Sequence, residues 1–414
     1  MGESNGKRKL NIAIVHPDLG IGGAERLIVD AAVELSSFGH SVKLFTAHHD
    51  KDRCFEETTS GLFSVHTYGS FLPRHIFYRF HALCSYIRFI FVALFVLFLW
   101  PSFDVILADQ ISVVIPLLKL KRKSKVMFYC HFPDLLLAQR STPLRKLYRR
   151  PIDFIEEHTT GLADLILVNS KFTATTFART FRVLEDRGVR PQVLYPAVCI
   201  GQFSNPTEFK LNYLSINRFE RKKNIELAIS AFSLLPKSDA TLTIAGGYDV
   251  RLKENVEYLE ELKILAKEKG VFGRVKFLTS CSTSERNKLL SECLCVVYTP
   301  KVLSLLSDTC QGFIWLQDEH FGIVPLEAMA AHKPVIACNS GGPVETVRND
   351  VTGFLCDPNP VAFSLAMGRF LEDVDLAKTM GSSARRHVAD SFSTRSFGMC
   401  LNRHVLDITG FKVD

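Results

Sequence analysis

Two carboxylates frame a short apolar stretch in the second half of the chain. In "DEHFGIVPLEAM", seven residues separate Glu319 from Glu327. The stretch follows a strand-like run, Cys295–Tyr298, and the residues after Pro325 suit a helix, because proline in a first helical turn needs no N–H donor. The pattern therefore predicts a strand, a loop and a helix, with one carboxylate before the helix and one inside it.

The backbone between these carboxylates predicts an anion site. We expect the amides of Phe321, Gly322 and Ile323 to point outward at the start of the helix, where unpaired N–H groups and the helix dipole favour phosphate. Glu319 and Glu327 would then accept hydrogen bonds from hydroxyl groups at the two ends of the same ligand. A diphosphate with hydroxyls at both ends describes a nucleotide sugar.

A second motif, "INRFERKKN", carries two cations. Arg218 follows a predicted strand, and Lys223 stands where the next helix should open. A planar guanidinium and a compact ammonium at the tip of a strand would clamp a diphosphate. The same residues could instead form a solvated basic turn.

The beginning of the chain predicts a βαβ unit. Asn11–Val15 reads as a strand, Gly22 and Gly23 form a glycine loop, and Val42–Phe45 reads as a second strand. Between them, apolar residues recur at helical spacing up to Gly39, where a helix should end; they are Leu27, Ile28, Ala31, Ala32 and Leu35. A βαβ unit implies a parallel sheet.

The chain is long enough for two domains of about 200 residues each. Alternating strands and helices fill residues 8–199, stop at a polar tract over 200–210, and restart over 211–390. We therefore predict an α/β protein with two Rossmann-like domains that face each other across a cleft, with ligands at the carboxyl ends of the strands. Residues 391–414 should form a helical tail that packs back toward the N-terminal domain.

The composition narrows the class of protein. The formal net charge is +7 over 414 residues, too mild for a dedicated nucleic-acid binder but suited to an anionic surface or a phosphorylated substrate. The cysteines number eleven and show no CxxC pair, and their odd number favours a reduced compartment. Cys293 and Cys295 stand in an apolar run and are interpreted as buried thiols. The N-terminus, "MGESNGKRKL", has no apolar core of a signal peptide.

The apolar segment Ala82–Trp100 suits a helix that lies in one leaflet of a membrane, with Arg79 and Arg88 at the headgroups. A buried core helix and a membrane span, which needs about 20 apolar residues, are the alternatives. Basic residues that could face an anionic surface, or could simply be solvated, follow in two clusters: Lys119, Lys121, Arg122, Lys123 and Lys125, then Arg145, Lys146, Arg149 and Arg150.

Taken together, the E-x7-E stretch, the Arg–Lys pair and the glycine loop resemble the retaining GT-B glycosyltransferases of the GT4 family. Further segments extend the resemblance over nearly the whole chain: "HPDLGIGGAERL", "FYCHFPDLLL", "RPIDFIEEHTTGLAD" and "AGGYD". Within the family, the set resembles the α-1,3/α-1,6-mannosyltransferases of lipid-linked oligosaccharide assembly. The resemblance implies GDP-mannose as donor, a dolichyl-diphosphate oligosaccharide as acceptor, the cytosolic face of the endoplasmic reticulum membrane, and other mannosyltransferases of the pathway as partners.

The resemblance also implies roles for single residues. Arg218 and Lys223 would neutralise the leaving GDP, Glu319 would hold the mannose hydroxyls, and Glu327 would hold the ribose. No cofactor and no metal are expected, because the two cations take the place of a metal ion and front-face transfer needs no protein base.

Three further positions take roles from the resemblance. Gly22 and Gly23 would open the first helix beneath the diphosphate or the acceptor. His131, in "CHFPD", would contact the sugar or the reacting face, or it could be a structural histidine. A second glycine-rich loop, Ser340–Glu345, is interpreted as structural.

One segment departs from the family pattern. The apolar run Val302–Gln317 separates the strand ending "YTP" from Glu319. Valine codons begin with GT and one glutamine codon is CAG, so a retained intron or a gene-model artefact is the favoured explanation. A functional insertion and a tolerated loop are the alternatives, and a genuine run would call donor binding into question.

Two other functions stay open at this stage. A GT-B transferase using a UDP-sugar shares the same motifs, because the base pocket cannot be read from sequence. A scaffold protein inactivated by the run 302–317 is the non-catalytic alternative. A dinucleotide oxidoreductase is disfavoured, since "GIGGAERL" lacks the full G-x-G-x-x-G pattern.

Overall fold

The structure is a computed structural model that describes residues 9–76, 80–138, 142–206, 208–300 and 321–410. The run Val302–Gln317, Glu319 and Arg79 lie outside the described residues. The chain divides into two compact units, one formed by residues 1–197 with 394–414 and the other by residues 198–393. The polar tract 200–210 thus lies in the second unit, and the last helix lies in the first.

The first unit is built on a seven-stranded parallel sheet with the order β3-β2-β1-β4-β5-β6-β7. Its strands are β1 (Asn11–His16), β2 (Ser41–Thr46), β3 (Ser64–Thr67), β4 (Val105–Asp109), β5 (Lys125–Cys130), β6 (Leu165–Val168) and β7 (Gln192–Val193). Its helices are α1 (Gly23–Ser37), α2 (His81–Leu99), α3 (Ile115–Lys119), α4 (Asp134–Leu137), α5 (Pro143–Thr160), α6 (Lys171–Thr180), α7 (Arg182–Asp186) and α15 (Thr394–Ile408).

The second unit is built on a six-stranded parallel sheet with the order β10-β9-β8-β11-β12-β13. Its strands are β8 (Asn212–Ile216), β9 (Thr241–Gly246), β10 (Val275–Thr279), β11 (Cys295–Tyr298), β12 (Val335–Cys338) and β13 (Gly353–Cys356). Its helices are α8 (Ile225–Ser233), α9 (Lys253–Glu268), α10 (Thr283–Glu292), α11 (Ile323–Ala330), α12 (Pro343–Thr346), α13 (Pro360–Glu372) and α14 (Val374–Ser391).

The βαβ prediction for the start of the chain is confirmed. β1 pairs in parallel with β2, and the five apolar residues predicted to face the core from α1 are all buried. Gly39 has a φ of +91° directly after the helix, a left-handed conformation that glycine adopts without strain. Helix α15 packs on α1 through buried Phe397 and Leu401. Just after α1, His40 Nε2 lies 2.7 Å from Asn402 Oδ1 of α15.

The apolar segment forms α2, and one of its faces is part of the core. Phe89, Val92 and Val96 are fully buried in the cluster beneath β1 and β4. Arg88 is only 4% exposed and donates from Nη1 to Asp18 Oδ2 at 2.7 Å. The prediction that Arg88 sits at lipid headgroups is therefore wrong, because this charge is neutralised inside the first unit.

Several residues of the two basic clusters form ion pairs or hydrogen bonds within the first unit. Lys119 pairs with Asp164 at 2.7 Å, and buried Lys121 donates to the carbonyl of Trp100. Arg149 is buried and pairs with carboxylates of the same unit. Lys121 and Arg149 are therefore not part of a solvated basic surface, whereas the Lys119 side chain remains 37% exposed.

Candidate active site

Three side chains meet where β1, β4 and β5 end. His16 closes β1, Asp109 closes β4, and His131 follows β5 directly. His16 Nδ1 donates to Asp109 Oδ2 at 2.8 Å, and His131 Nε2 lies 2.9 Å from Asp109 Oδ1. The side chains of Asp109 and His16 are buried, whereas that of His131 is 25% exposed. The predicted site residue His131 therefore forms the outer end of a buried cluster.

The carboxylate at the centre of this cluster stays ionised. Burial alone would raise the pKa of Asp109, but the neighbouring His131 and His16 outweigh burial and lower that pKa to about 2. An ionised carboxylate can only accept hydrogen bonds. The His16 nitrogen bonded to Asp109 therefore carries a hydrogen, whereas Asp109 Oδ1 and His131 Nε2 lie 2.9 Å apart without a hydrogen bond.

A second set of contacts holds the loop that carries His131. Asn169 Nδ2 donates to the His131 carbonyl at 2.9 Å. The two carboxylate oxygens of Glu156 accept from the backbone N–H groups of Asp134 and Leu135 at 2.7 and 2.9 Å. These bonds satisfy donors at the start of α4 that the helix itself leaves unpaired. The position of His131 is thus fixed from both sides of the loop.

Gly22 and Gly23 lie at the start of α1, as predicted. The N-cap residue Gly22 makes no side-chain capping bond, and a Cβ on Gly22 would collide with the carboxylate of Glu25. A negative charge of the chain itself thus lies at this helix start. An incoming phosphate would have to displace the Glu25 side chain first, which weakens the prediction of a diphosphate site at Gly22.

In the second unit, Arg218 follows β8 and is 62% exposed. Its Nη1 lies 2.8 Å from Glu220 Oε1, and Lys222 Nζ lies 2.9 Å from the other oxygen of the same carboxylate. Glu220 thus neutralises the predicted phosphate ligand Arg218. The guanidinium is exposed although Glu220 is only 13% exposed, so a diphosphate can reach Arg218 and compete with Glu220 for it.

The backbone of Lys223 is hydrogen-bonded to the residue that follows β11, a central strand of the second sheet. The Thr299 hydroxyl donates to the Lys223 carbonyl at 2.8 Å, and Asn224 Nδ2 donates to the Thr299 carbonyl at 3.3 Å. Thr299 directly follows β11 and is buried. The loop after β8 is therefore tied to the end of β11, with Lys223 between them.

The glycines of "AGGY" allow the neighbouring loop to approach this basic turn. A Cβ on Gly246 would collide with the backbone oxygen of Asn217, and one on Gly247 would lie 3.2 Å from Arg218 Cγ. These two glycines let the ends of β8 and β9 come close enough to position the Arg218 side chain.

The predicted anion site is the start of α11. Gly322 is the N-cap residue with a φ of +81°, and a Cβ there would lie 3.1 Å from the Tyr298 hydroxyl. Phe321 is buried and Ile323 is 39% exposed. A Cβ on Gly342 would collide with the Phe321 backbone, so the second glycine-rich loop packs against this helix start.

Glu327 lies inside α11, as predicted, and has a partner that the sequence analysis missed. Arg286 Nη1 donates to Glu327 Oε1 at 2.8 Å; the two side chains are 25% and 15% exposed. Burial raises the pKa of Glu327, and the charge of Arg286 opposes this rise. Arg286 therefore favours the ionised carboxylate, the form that accepts two hydroxyl donors.

Some of the predicted site residues thus belong to the same turn or helix, and one of them lies outside the described residues. Arg218 and Lys223 belong to one turn, and Gly322 and Glu327 to one helix. Glu319 lies outside the described residues, so its role stays a prediction. Sequence reasoning missed Asp109, His16, Glu220 and Arg286.

Family models match both halves of the chain. The model described as glycosyltransferase family 4 matches residues 21–198, and the model described as glycosyl transferases group 1 matches residues 202–387. The solved structure of sucrose-phosphate synthase from Thermosynechococcus elongatus superposes with a TM-score of 0.71 at 20% identity, covering 97% of this chain and 99% of that chain. WaaG, a glycosyltransferase of lipopolysaccharide biosynthesis, superposes with a TM-score of 0.65 at 16% identity, covering 96% and 100%. The predicted fold class, α/β with two Rossmann-like GT-B domains, is confirmed.

Curated relatives match at much higher identity. The α-1,3/1,6-mannosyltransferase ALG2 of Mus musculus is 46% identical over 95% of each chain. The human enzyme of the same name is 45% identical over 96% of each chain, and that of Saccharomyces cerevisiae is 42% identical over 84% of this chain and 73% of its own length. The resemblance inferred from the motifs is confirmed: the chain belongs to the α-1,3/1,6-mannosyltransferase family and is a glycosyltransferase.

Proposed function

We propose that this glycosyltransferase moves α-mannose from GDP-mannose to a dolichyl-diphosphate-linked Man-GlcNAc2 acceptor, first in α-1,3 and then in α-1,6 linkage. This reaction would serve the synthesis of the N-glycan precursor at the cytosolic face of the endoplasmic reticulum membrane. The observation that carries the proposal is the identity of 46% over 95% of both chains with a relative named α-1,3/1,6-mannosyltransferase.

The second unit binds the donor in this proposal. Arg218 leaves Glu220 and, with Lys223, neutralises the charge that develops on the departing GDP. The amides at the start of α11 bind the diphosphate, and Glu327 accepts the ribose hydroxyls while Arg286 keeps it ionised. Glu319 takes the mannose hydroxyls. Transfer with retention then depends on fixed charges and on positioning, without a protein base.

The first unit binds the lipid-linked acceptor. The outward face of α2 supports this assignment, because it is apolar where a soluble helix would carry charges. Its exposed large apolar residues are Leu83 (42%), Ile87 (47%), Phe98 (76%) and Leu99 (65%). Of the described residues, α2 is the one helix whose length and composition would allow a membrane span. Because its other face is buried in the core, we propose that α2 lies in the interface of one leaflet.

The proposed reaction is tested by incubating purified protein with labelled GDP-mannose and a short-chain lipid diphosphate that carries Man-GlcNAc2. Two mannose residues should be added, and EDTA should not abolish transfer. The same assay on a variant without residues 302–317 shows whether that run impairs the enzyme. Failure of both proteins to transfer mannose, while UDP-sugars are used, would overturn the assignment of the donor.

The membrane assignment is tested with liposomes that have the lipid composition of the endoplasmic reticulum membrane. Replacing Leu83, Ile87, Phe98 and Leu99 by serine should release the protein from the liposomes and slow transfer to long-tailed acceptors only. Serine at four exposed apolar positions of the second unit is the matched control; these are Val250, Leu252, Ile264 and Val361. If the variant with these four serines in α2 still floats with the liposomes, the assignment is contradicted.

A further inference from the structure

Thr299 is a buried residue that joins the basic turn of the second unit to the neighbouring strands. It directly follows β11, which lies between β8 and β12 in the sheet, and its side chain is fully buried. Its hydroxyl donates to the Lys223 carbonyl at 2.8 Å. Its own carbonyl accepts from Asn224 Nδ2 and from Cys338 Sγ, each at 3.3 Å. Thr299 thus connects the turn after β8 with the end of β12.

The Asn224 side chain does not cap the helix that it precedes. Asparagine is a favoured N-cap residue, because its side-chain oxygen can accept from backbone N–H groups of the first turn. Asn224 is the N-cap residue of α8 but makes no such bond, and its φ of +51° is uncommon outside glycine. Its amide nitrogen donates to Thr299 instead, and the Ile225 N–H donates to the Tyr258 hydroxyl at 2.8 Å. Contacts with distant segments therefore set the conformation of this turn.

We propose that Thr299 is a positioning residue of the donor site that acts through Lys223. Its hydroxyl fixes the Lys223 backbone, and its carbonyl holds the next residue, Asn224, to the same partner. A fixed charge stabilises a leaving group best when it needs no rearrangement during the reaction. The inference rests on the proposed function, because it takes Lys223 to be a ligand of the departing nucleoside diphosphate.

Two substitutions separate the hydroxyl of Thr299 from its shape. Thr299→Val keeps the shape but removes the donor to Lys223, and it should lower turnover by about tenfold, because small displacements of a positioned group are costly. Thr299→Ser keeps the donor and should stay within about twofold of wild type. An equal loss of turnover in both variants would overturn the proposal.

The matched control is Thr243→Val. Thr243 is a buried threonine of β9 in the same sheet, and its hydroxyl donates to Asn212 Oδ1, at the start of β8, at 2.9 Å. This variant should lower the melting temperature without changing turnover. A loss of turnover as large as that of Thr299→Val would show a general effect of buried threonines and would also overturn the proposal.

Nucleotide binding gives a measurement that does not require transfer. GMP lacks the second phosphate of GDP, so calorimetry on the full-length protein should show tighter binding of GDP. Thr299→Val should reduce this preference for GDP by about tenfold, the order of one hydrogen bond to a charged group. An unchanged preference, or equal weakening of both nucleotides, would overturn the proposal.

A double substitution tests whether Thr299 acts through the Lys223 side chain. Lys223→Ala retains the backbone carbonyl that Thr299 holds but lacks the ammonium group. In this background, Thr299→Val should cause no further loss of turnover or of GDP preference, because coupled residues are not additive. An equal loss in both backgrounds would overturn the proposal.

The inference and the proposed function fail in different ways. A wild-type protein that binds UDP in place of GDP would overturn the proposed donor, and UDP with UMP would then test Thr299 in the same manner. Should Thr299→Val fail to fold, Asn224→Gly decides, because glycine adopts the positive φ without strain and removes only the bond to the Thr299 carbonyl. This variant should lose about threefold in turnover and in GDP preference, and wild-type values would overturn the inference.

Discussion

A cluster of charged residues lies at strand ends of each sheet, and the two clusters differ in their exposure. In the first unit, Asp109 is buried and enclosed by two imidazoles. In the second unit, Arg218 and Lys222 share Glu220 at a surface turn where Arg218 is 62% exposed. One cluster is complete before any ligand arrives, and the other holds charges that a ligand can take over.

The difference shows how each cluster is coupled to stability. A buried charge that loses its partner costs several kcal/mol, because its desolvation is no longer compensated. An exposed pair contributes about 0–1 kcal/mol. Substitutions in the first cluster should therefore affect folding and function together, whereas those in the second should affect function alone.

The largest effect is expected for the cations of the second cluster. Arg218→Ala or Lys223→Ala should lower turnover by about 100-fold or more, because each removes a fixed charge from a developing diphosphate. Melting temperatures should stay within about a degree or two of wild type, since the Arg218 side chain is itself exposed and Lys222 still pairs with Glu220. Turnover and thermal melts are measured on the same preparations.

The matched control lies in the same turn. Arg221 pairs with Glu261 of α9 at 2.5 Å and so is engaged away from Glu220. Arg221→Ala removes a cation without removing the proposed clamp, and its turnover should stay near that of wild type. Near-wild-type turnover in both Arg218→Ala and Lys223→Ala would refute the clamp.

A smaller effect is expected for Arg286, which is neither fully buried like Asp109 nor as exposed as Arg218. Arg286→Ala leaves the largely buried Glu327 without its cation, so the protonated form gains at the expense of the carboxylate. The KM for GDP-mannose should rise about tenfold, equivalent to about 1.4 kcal/mol, and the rise should be larger at pH 6 than at pH 8. Lys288→Ala on the same helix is the control. A KM at the wild-type value at both pH values would contradict the role of Arg286.

Local patterns were sufficient to predict the elements that carry both clusters. The predicted strand Asn11–Val15 is one residue shorter than β1, and Cys295–Tyr298 coincides with β11. Periodicity works here because each strand or helix face is buried against the core of its own unit. Arg218 and Glu327 could be proposed from the sequence for the same reason, since each follows from a motif within one strand–loop–helix segment.

Contacts between distant segments could not be read in this way. Glu327 and Arg286 are 41 residues apart, and Asp109 is 93 residues from His16. Arg88 was assigned to headgroups because its partner, Asp18, is 70 residues away. A signal for the buried cluster did exist: in "NIAIVH", "VILAD" and "MFYCH" an apolar strand ends in, or is directly followed by, His16, Asp109 or His131. Placing these three strands side by side requires the strand order of the sheet.

The smallest effect on activity is expected for Glu156, which supports the loop of His131 from behind. Burial, and next the charge of Asp134, raise the pKa of Glu156 to about 8. The folded protein therefore retains a proton that the unfolded chain releases near pH 4.5. This contribution to stability is complete below pH 4.5 and is lost as the pH rises through about 8. The free energy of unfolding should thus fall by at most about 1.4 kcal/mol per pH unit over that window.

Glu156→Gln isolates this dependence, because glutamine does not titrate and still offers one acceptor to the start of α4. Urea unfolding of both proteins at pH 5.5, 6.5 and 7.5 gives the difference in free energy of unfolding, from which other titrating groups cancel. The free energy of unfolding of the variant, relative to that of wild type, should increase as the pH rises. Turnover should change little, because His131 keeps its bond to Asn169. Parallel pH profiles for the two proteins would mean that Glu156 is ionised throughout. Its two backbone hydrogen bonds would then outweigh its burial, and Glu156 would be a fixed anion like Asp109.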